Sequence, residues 1–324
     1  MRNESQPIRE QNKFRLNRVI KSTRSKISLS LVLVILLSGL FLLYGPYSGF
    51  RVFLITTSMN TANHKCIANA LYSKGTIKRV MDENVVVEPD DKTDPERISE
   101  DGLSNAIELT EIEKENCTGV LLRISDPSRV SVAYSKDSKG MLLEKIAEDT
   151  GGIAAINASG YLRVEEPGIP TGILISDSKI IHSGFPGEHS IIGFDKENKF
   201  VIGNYADDEI ASLRLRDAVE FGPLLIINGT KSQILGNGGG YAPRSAIGQT
   251  KTGEVLFLCL DGRTLTNPGA SLIDVQDILY EYGAINAANL DGGSSVSMYY
   301  EGKIVNNATS LQKHRIIPCC FVVR

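Results

Sequence analysis

Apolar and polar positions change period several times along this chain, and each change marks an expected element. From Ile27 to Phe50 there is no charged side chain, and Ile27 to Tyr44 is almost wholly apolar. A run of that length can cross a bilayer core of about 30 Å, so one transmembrane helix is expected there. Ile67, Leu71, Ile77, Val80 and Met81 recur at roughly helical spacing and predict a helix over His64 to Glu83, interrupted near Gly75. The polar, proline-punctuated stretch Glu88 to Glu96 reads as a linker.

From Ile107 the pattern shortens to strand length. Ile107–Ile112 and Gly119–Ile124 read as a hairpin pair, and Met141–Asp149 as a short helix with Gly151 past its end. Three tighter hairpins follow: 172–175 with 180–181, 191–194 with 200–202, and 244–249 with 254–260. Such short connections imply antiparallel pairing. Phe221 to Gly229 is a further buried strand. Ser271 to Tyr282 is a helix opened by a Ser271/Asp274 capping box, with Leu272, Val275, Leu279 and Tyr282 on its apolar stripe and Gly283 at its end. Ser297–Val305 and Ile316–Val323 finish as strands. The expected fold class is α+β: a largely antiparallel twisted sheet with a few packing helices, preceded by one N-terminal transmembrane helix.

Charge adds a direction to this picture. Residues 1–26 carry eight Lys/Arg and two Glu, a net +6, which leaves −9 on the rest of the 324-residue chain. The basic arm is expected to stay cytoplasmic by the positive-inside rule, with the remainder extracytoplasmic. The run is longer than the apolar region of a cleaved signal peptide and lacks an Ala-x-Ala site, which favours an uncleaved anchor over 27–50. The acidic remainder argues against a nucleic-acid partner. Residues 51–118 are expected to be a membrane-proximal helical segment and linker without a functional role, and 119–324 the functional domain. Cys66, Cys117, Cys259, Cys319 and Cys320 form no disulfide or zinc spacing, and the four histidines are scattered.

Candidate chemistry concentrates in Ala287-Ala288-Asn289-Leu290-Asp291-Gly292-Gly293-Ser294-Ser295. An apolar strand ends in two polar residues and two glycines, where backbone N–H groups can converge on an anion. Asp-Gly is also a strong hairpin signal, so this stretch alone reads equally well as a turn. Two more segments weigh on the choice: Ala242-Pro243-Arg244-Ser245-Ala246-Ile247-Gly248 and Cys259-Leu260-Asp261-Gly262-Arg263. In this order, with a helix before the third, they resemble the phosphodiester glycosidase family. Ile156-Asn157-Ala158-Ser159-Gly160-Tyr161 and Phe221-Gly222-Pro223-Leu224 match further landmarks of it. Bacterial members are often membrane-anchored or secreted and associated with exopolysaccharide biosynthesis. The chain departs from the family where Asn-Gly-Gly-Phe-Phe is usual at 157–161, and where a third glycine is usual at Ser294. These departures bear on substrate identity more than on reaction class.

The resemblance implies hydrolysis, or transfer, of a sugar-1-phosphodiester at the anomeric carbon, on a phosphate-linked cell-surface glycan. A phosphate monoester has a second pKa near 6, so it leaves with little proton assistance and one carboxylate suffices. Asp291 is the first choice for nucleophile or general base, and Asp261 the second. Arg244 and Arg263 are assigned to the phosphodiester, because a guanidinium binds phosphate in a bidentate fork. Asn157 and Asn289 are assigned to the sugar or to orienting the carboxylates, and Gly292, Gly293, Ser294 and Ser295 to the phosphate oxygens. No cofactor is expected. Two other classes compete: cleavage at phosphorus with a divalent cation on Asp261 and Asp291, and a non-catalytic glycan-binding or assembly factor.

Overall fold

The computed structural model describes residues 30–60, 64–99, 103–163, 165–264, 267–307 and 315–324. The basic arm lies outside them. The chain divides into two units, Met1–Ile55 and Thr56–Arg324. The apolar N-terminal run does not form one continuous span. It gives a helix over Ser30–Tyr44 and another over Ser48–Met59, bent by 73°. Pro46 lies in the break; it lacks an N–H and pushes the residue before it out of the helical region. The first helix is about 22 Å long at 1.5 Å per residue. Among the described residues no single helix is long and apolar enough to cross a membrane.

The second unit is built on three antiparallel sheets. The largest has seven strands in the order Thr230–Lys231, Leu224–Ile227, Ala284–Leu290, Arg244–Thr250, Val255–Leu260, Thr118–Ile124 and Ile107–Glu113. A five-stranded sheet runs Phe200–Ala206, Glu188–Asp195, Leu215–Glu220, Ile173–Ser176 and Lys179–Ser183. A second runs Lys303–Ile304, Met298–Tyr300, Ala154–Asn157, Cys319–Val323 and Val130–Tyr134. All three expected hairpins form with antiparallel register.

One core joins the inner faces of these sheets, with Leu122, Ile156, Phe194, Phe257, Ala288 and Phe321 among its members. Strand periodicity explains the all-apolar run at 255–260. Val255, Phe257 and Cys259 face that core, while Leu256, Leu258 and Leu260 face the helix Leu272–Glu281 through Leu272, Val275 and Leu279. A side chain buried in this way contributes about 1.5–3 kcal/mol. The capping box holds the helix start: Ser271 Oγ accepts the Asp274 N–H at 3.2 Å, and the Asp274 carboxylate accepts the Ser271 N–H at 2.7 Å. On the opposite side, helix Leu143–Asp149 covers the outer face of the second five-stranded sheet.

The stretch expected to be a spacer is part of this unit. Instead of one helix over 64–83 there are two, Lys65–Leu71 and Lys74–Asp82, because Ser73 caps the second by accepting the Thr76 N–H at 3.2 Å. Val86–Val87 pairs with Gln233–Ile234, and Ile107–Glu113 forms an edge of the seven-stranded sheet. The five cysteines are free, and all but Cys66 are buried.

Candidate active site

The strand Ala284–Leu290 runs between Leu224–Ile227 and Arg244–Thr250, and its end delivers Asp291 to the rim of the sheet. Asp291 is then held from the second five-stranded sheet. Its N–H donates to the Ala158 carbonyl at 2.9 Å, and its carbonyl accepts from Asn157 Nδ2 at 2.6 Å. The other end of that amide is also occupied: Asn157 Oδ1 accepts from Ser245 Oγ at 2.6 Å and from the Ser297 N–H at 3.1 Å. Asn157 is fully buried, so it positions Asp291 and does not touch a substrate. Gly160 belongs to the same loop, and a Cβ there would lie 3.8 Å from the Asp291 carboxyl carbon.

Asp291 lines a cleft of about 910 Å³ together with Arg244, Arg263, Asn289, Gly292, Gly293 and Ser294, all of them candidates named on the family resemblance. Although Asp291 as a residue is only half-buried, its carboxyl is enclosed enough that burial raises its pKa to about 6. Ser295 Oγ and the Gly292 N–H oppose that rise. Ser295 Oγ is nevertheless buried without a well-formed hydrogen bond, so its contribution is the weaker kind. No arginine figures among the groups that shift Asp291.

Cations collect around the next turn. Gly293 has φ +64°, and a Cβ there would meet Arg263 Nη2 at 2.8 Å, so glycine lets the guanidinium close on the backbone. Arg263 itself sits at φ +65°, a conformation that costs a non-glycine residue on the order of 1–3 kcal/mol and is concentrated at functional sites. Arg263 is an exposed residue whose guanidinium makes no hydrogen bond or ion pair among the described residues, and partial desolvation lowers its pKa. Arg315 flanks the same turn: its Nη1 donates to Ser294 Oγ at 2.9 Å, and its guanidinium lies 4.3 Å from the centre of the Tyr161 ring. Arg244 is tied differently. Its Nη2 donates to the Gly240 carbonyl at 2.7 Å and its Nε to that of Ala270 at 3.3 Å, and burial lowers its pKa to about 10.

Other assignments move. The N–H of Gly293 donates to the Pro243 carbonyl at 2.8 Å, so this donor is committed within the turn and does not face an anion. Asn289 Nδ2 donates to the Gly222 carbonyl at 3.0 Å, while its buried Oδ1 has no partner. Asp261 is buried outside the cleft, where Asn306 Nδ2 lies 3.4 Å from its Oδ1, and burial raises its pKa. It therefore does not face Asp291 across the cleft as a second carboxylate. The described residues contain no group of three His, Cys, Asp or Glu suited to a metal ion.

Sequence reasoning missed Arg315, which stands in no motif, and gave Tyr161 no role although it closes the 156–161 segment. It also missed the wall of the cleft formed by Asn60, His64, Met81, Asn84, Val85 and Val86, all in the stretch read as a spacer. The polar run Asn237 to Gly240 was the available signal, because three glycines with positive φ beside a single Asn mark a close backbone approach.

One half-buried carboxylate and three arginines, none of them in an ion pair among the described residues, line the same cleft, an arrangement that could hold an anion beside a group able to attack or to activate water. The chain belongs to the phosphodiester glycosidase family, whose model matches residues 150–324. It is 30% identical over 165 residues to the SPbeta prophage-derived protein YomE of Bacillus subtilis (strain 168), covering 48% of this chain and 25% of that protein. It is 23% identical over 225 residues to N-acetylglucosamine-1-phosphodiester alpha-N-acetylglucosaminidase of Mus musculus, covering 61% and 43% of the two. The chain thus spans less than half the length of either relative. Its fold is that of the zebrafish enzyme of the same name, whose catalytic domain is described as auto-inhibited by its pro-peptide. The TM-score is 0.60 at 20% identity, over 72% of this chain and 87% of that one.

Proposed function

We propose that this protein hydrolyses a sugar-1-phosphodiester at the anomeric carbon, with Asp291 as nucleophile or general base. The observation that carries the reading is the pairing of one enclosed carboxylate with two arginines, Arg263 and Arg315, that have no carboxylate partner and flank the adjoining turn. Ionised Asp291 either attacks C1, forming a glycosyl ester that water then hydrolyses to free the sugar and restore the carboxylate, or takes a proton from the attacking water. The C1–O bond breaks, and its electrons leave on the phosphate oxygen. The phosphate gains a negative charge in this step, so arginines placed beside it bind the transition state more tightly than the substrate. A monoester leaving group needs little protonation, which agrees with the position of Asp261 outside the cleft.

The setting we propose is a membrane-anchored, extracytoplasmic enzyme acting on a phosphate-linked cell-surface glycan or exopolysaccharide. Support comes from the apolar helices Ser30–Tyr44 and Ser48–Met59, which are long and apolar enough for a span only as a bent pair, and from the basic residues before them.

The test is to offer the full chain an aryl phosphodiester of N-acetylglucosamine-1-phosphate in oxygen-18 water, with and without EDTA. Free sugar carrying the label, and unlabelled aryl phosphate, is the expected result in both conditions. Label in the phosphate would move the attack to phosphorus and overturn the reading.

A further inference from the structure

Three hydrogen-bonded ionisable groups, none of them in the cleft lining, stand next to one of its walls. His189, on the strand Glu188–Asp195, is 1% exposed. Its Nδ1 lies 2.7 Å from Glu220 Oε2 and its Nε2 2.9 Å from Asp207 Oδ1. An ionised carboxylate only accepts, and a neutral imidazole has a single N–H, so the imidazolium alone satisfies both contacts. Burial by itself lowers the His189 pKa, but the bonds to the two carboxylates outweigh it and raise it; the bond to His189 in turn lowers that of Asp207. Of the other titratable groups around the ring, Glu188 and Asp208 are exposed and Glu209 pairs with Lys92. Tyr205 opposes His189 across the strand pair, and His182 Nδ1 lies 2.9 Å from the Gly172 carbonyl. Glu220 is the junction of two segments that flank Asp291. On one side its Oε2 accepts the Ile173 N–H at 2.9 Å, and Gly172 leaves the room, since a Cβ there would collide with the carboxyl. The Thr171 N–H donates to the carbonyl of Gly160, the residue packed beside the Asp291 carboxyl. On the other side Glu220 runs directly into Phe221, Gly222 and Pro223, which line the cleft. The Phe221 N–H donates to the Ser190 carbonyl at 3.1 Å, next to His189. The Gly222 and Pro223 carbonyls accept from Asn289, two residues before Asp291.

We propose that His189 is a positioning residue for Asp291: as an imidazolium it fixes Glu220, and through Glu220 the two segments that flank the reacting carboxylate, so that loss of its proton at alkaline pH lowers activity. The role rests on the hydrolase reading above. A neutral His189 keeps one N–H and cannot serve both carboxylates. Glu220, whose side chain is partly enclosed, then loses the cation beside it. Its hold on the Ile173 N–H slackens, and with it the packing of Gly160 and Phe221 against each other and against Asp291, where a Cβ on Gly160 would lie 3.4 Å from the Phe221 ring.

The test is the pH dependence of kcat/KM on the aryl phosphodiester, measured on the full chain beside NMR of the same chain labelled with nitrogen-15 at histidine. Wild type is expected to lose activity by about fivefold or more along an alkaline limb above the ordinary histidine value of 6.5. That limb should coincide with the change of the His189 ring signals, identified by their absence in His189→Gln, from imidazolium to neutral. Asp207→Asn, at an exposed position outside the cleft, removes one of the two carboxylates and should move limb and ring titration together to lower pH by about one unit. His189→Gln, whose amide can donate to one carboxylate but does not titrate, should run about fivefold or more below wild type at its optimum and lose the alkaline limb. A wild-type profile level from pH 6.5 to pH 9 would overturn the proposal while leaving the hydrolase intact. So would a limb that fails to follow the ring titration in Asp207→Asn, or one that persists in His189→Gln. Absence of turnover by wild type at every pH would instead overturn the hydrolase reading, and this proposal with it.

Discussion

Replacing Asp291 with asparagine removes a charge that the fold holds at a cost. Burial raises this carboxyl from 3.8 to about 6, so the folded state binds its proton more tightly than the unfolded state does. Below pH about 4 both states are protonated and the group is neutral toward stability. Between pH 4 and 6 the unfolded state ionises while the folded state resists, and stability falls as pH rises; above pH 6 the full penalty applies. A shift of about two units corresponds to a ceiling of about 3 kcal/mol at 1.36 kcal/mol per unit. Asp291 still meets the solvent of the cleft, which screens the effect, and about 1–2 kcal/mol is the realistic figure. The amide of the replacement can still accept the bonds that the carboxylate accepted, and the backbone clamp from Asn157 and Ala158 is untouched. The Asp291→Asn variant is therefore expected to melt roughly 2–8 °C above wild type at pH 7.5. The gain should shrink steeply toward pH 4, while kcat at pH 7.5 drops by at least about a thousandfold. Calorimetry of both proteins at pH 4, 5.5 and 7.5 measures the first quantity and the aryl phosphodiester assay the second. A variant that is less stable at pH 7.5, or one whose gain is the same at pH 4, would refute the assignment of a strained charge to this residue.

Three further outcomes follow from the same geometry. Activity should rise with pH along an acidic limb of unit slope centred near pH 6, where Asp291 ionises; a log kcat/KM profile that is flat from pH 4.5 to 7.5 would remove Asp291 as the base or nucleophile. Arg263→Ala and Arg315→Ala should each lower kcat/KM by about a hundredfold. Arg263→Ala should leave the melting temperature level or higher, since its guanidinium has no partner to lose; a clear drop in melting temperature would show a structural role instead. Asn157→Ala should behave oppositely, costing about 2–4 kcal/mol in a denaturant titration, because it strands the Asp291 carbonyl, Ser245 Oγ and the Ser297 N–H in the interior; a loss under about 0.5 kcal/mol would mean that water replaces it readily.

The hairpins and the helix at 272–281 were legible because each carries its own signal: period-two burial, short Gly-containing connections, a capping box. Asp291, Arg244 and Arg263 were legible through motif order. What escaped was set by tertiary contact. Asn157 looks like a sugar ligand in sequence, yet its amide is spent on three backbone and hydroxyl partners that approach from other strands. The Gly292-Gly293 pair looks like an anion nest, yet the Gly293 N–H is turned to the Pro243 carbonyl. Arg315 has no local pattern at all and reaches the site only because Ile316 to Val323 returns the chain beside Ala154–Asn157. The wall at 60–86 was read as a membrane-proximal helical segment without a function, because a helical period does not tell what the exposed face of a helix borders. The continuous membrane span failed for a local reason, the Gly45-Pro46 pair inside an otherwise apolar run.

The directions of the shifts in the cleft run opposite to those of a structural ion-pair network. Had Asp291 been paired with Arg263 or Arg315, its pKa would lie below the usual carboxylate range and theirs would rise. Every group moves the other way: Asp291 is pushed up, and Arg244, Arg263 and Arg315 are pushed down, all chiefly by burial. Charges of both signs thus share one cleft without neutralising each other, and each is displaced toward its neutral form. Stability alone would pair them or replace them, since a lone enclosed charge is among the costliest features a fold can carry. In the proposed reaction a phosphodiester would resolve both strains at once. Its phosphate supplies the anion that the arginines lack, and the anomeric carbon, gaining positive character as the bond to phosphate lengthens, supplies the partner that the carboxylate lacks. Because that relief is largest when the charges have separated furthest, the arrangement favours the transition state over the bound substrate.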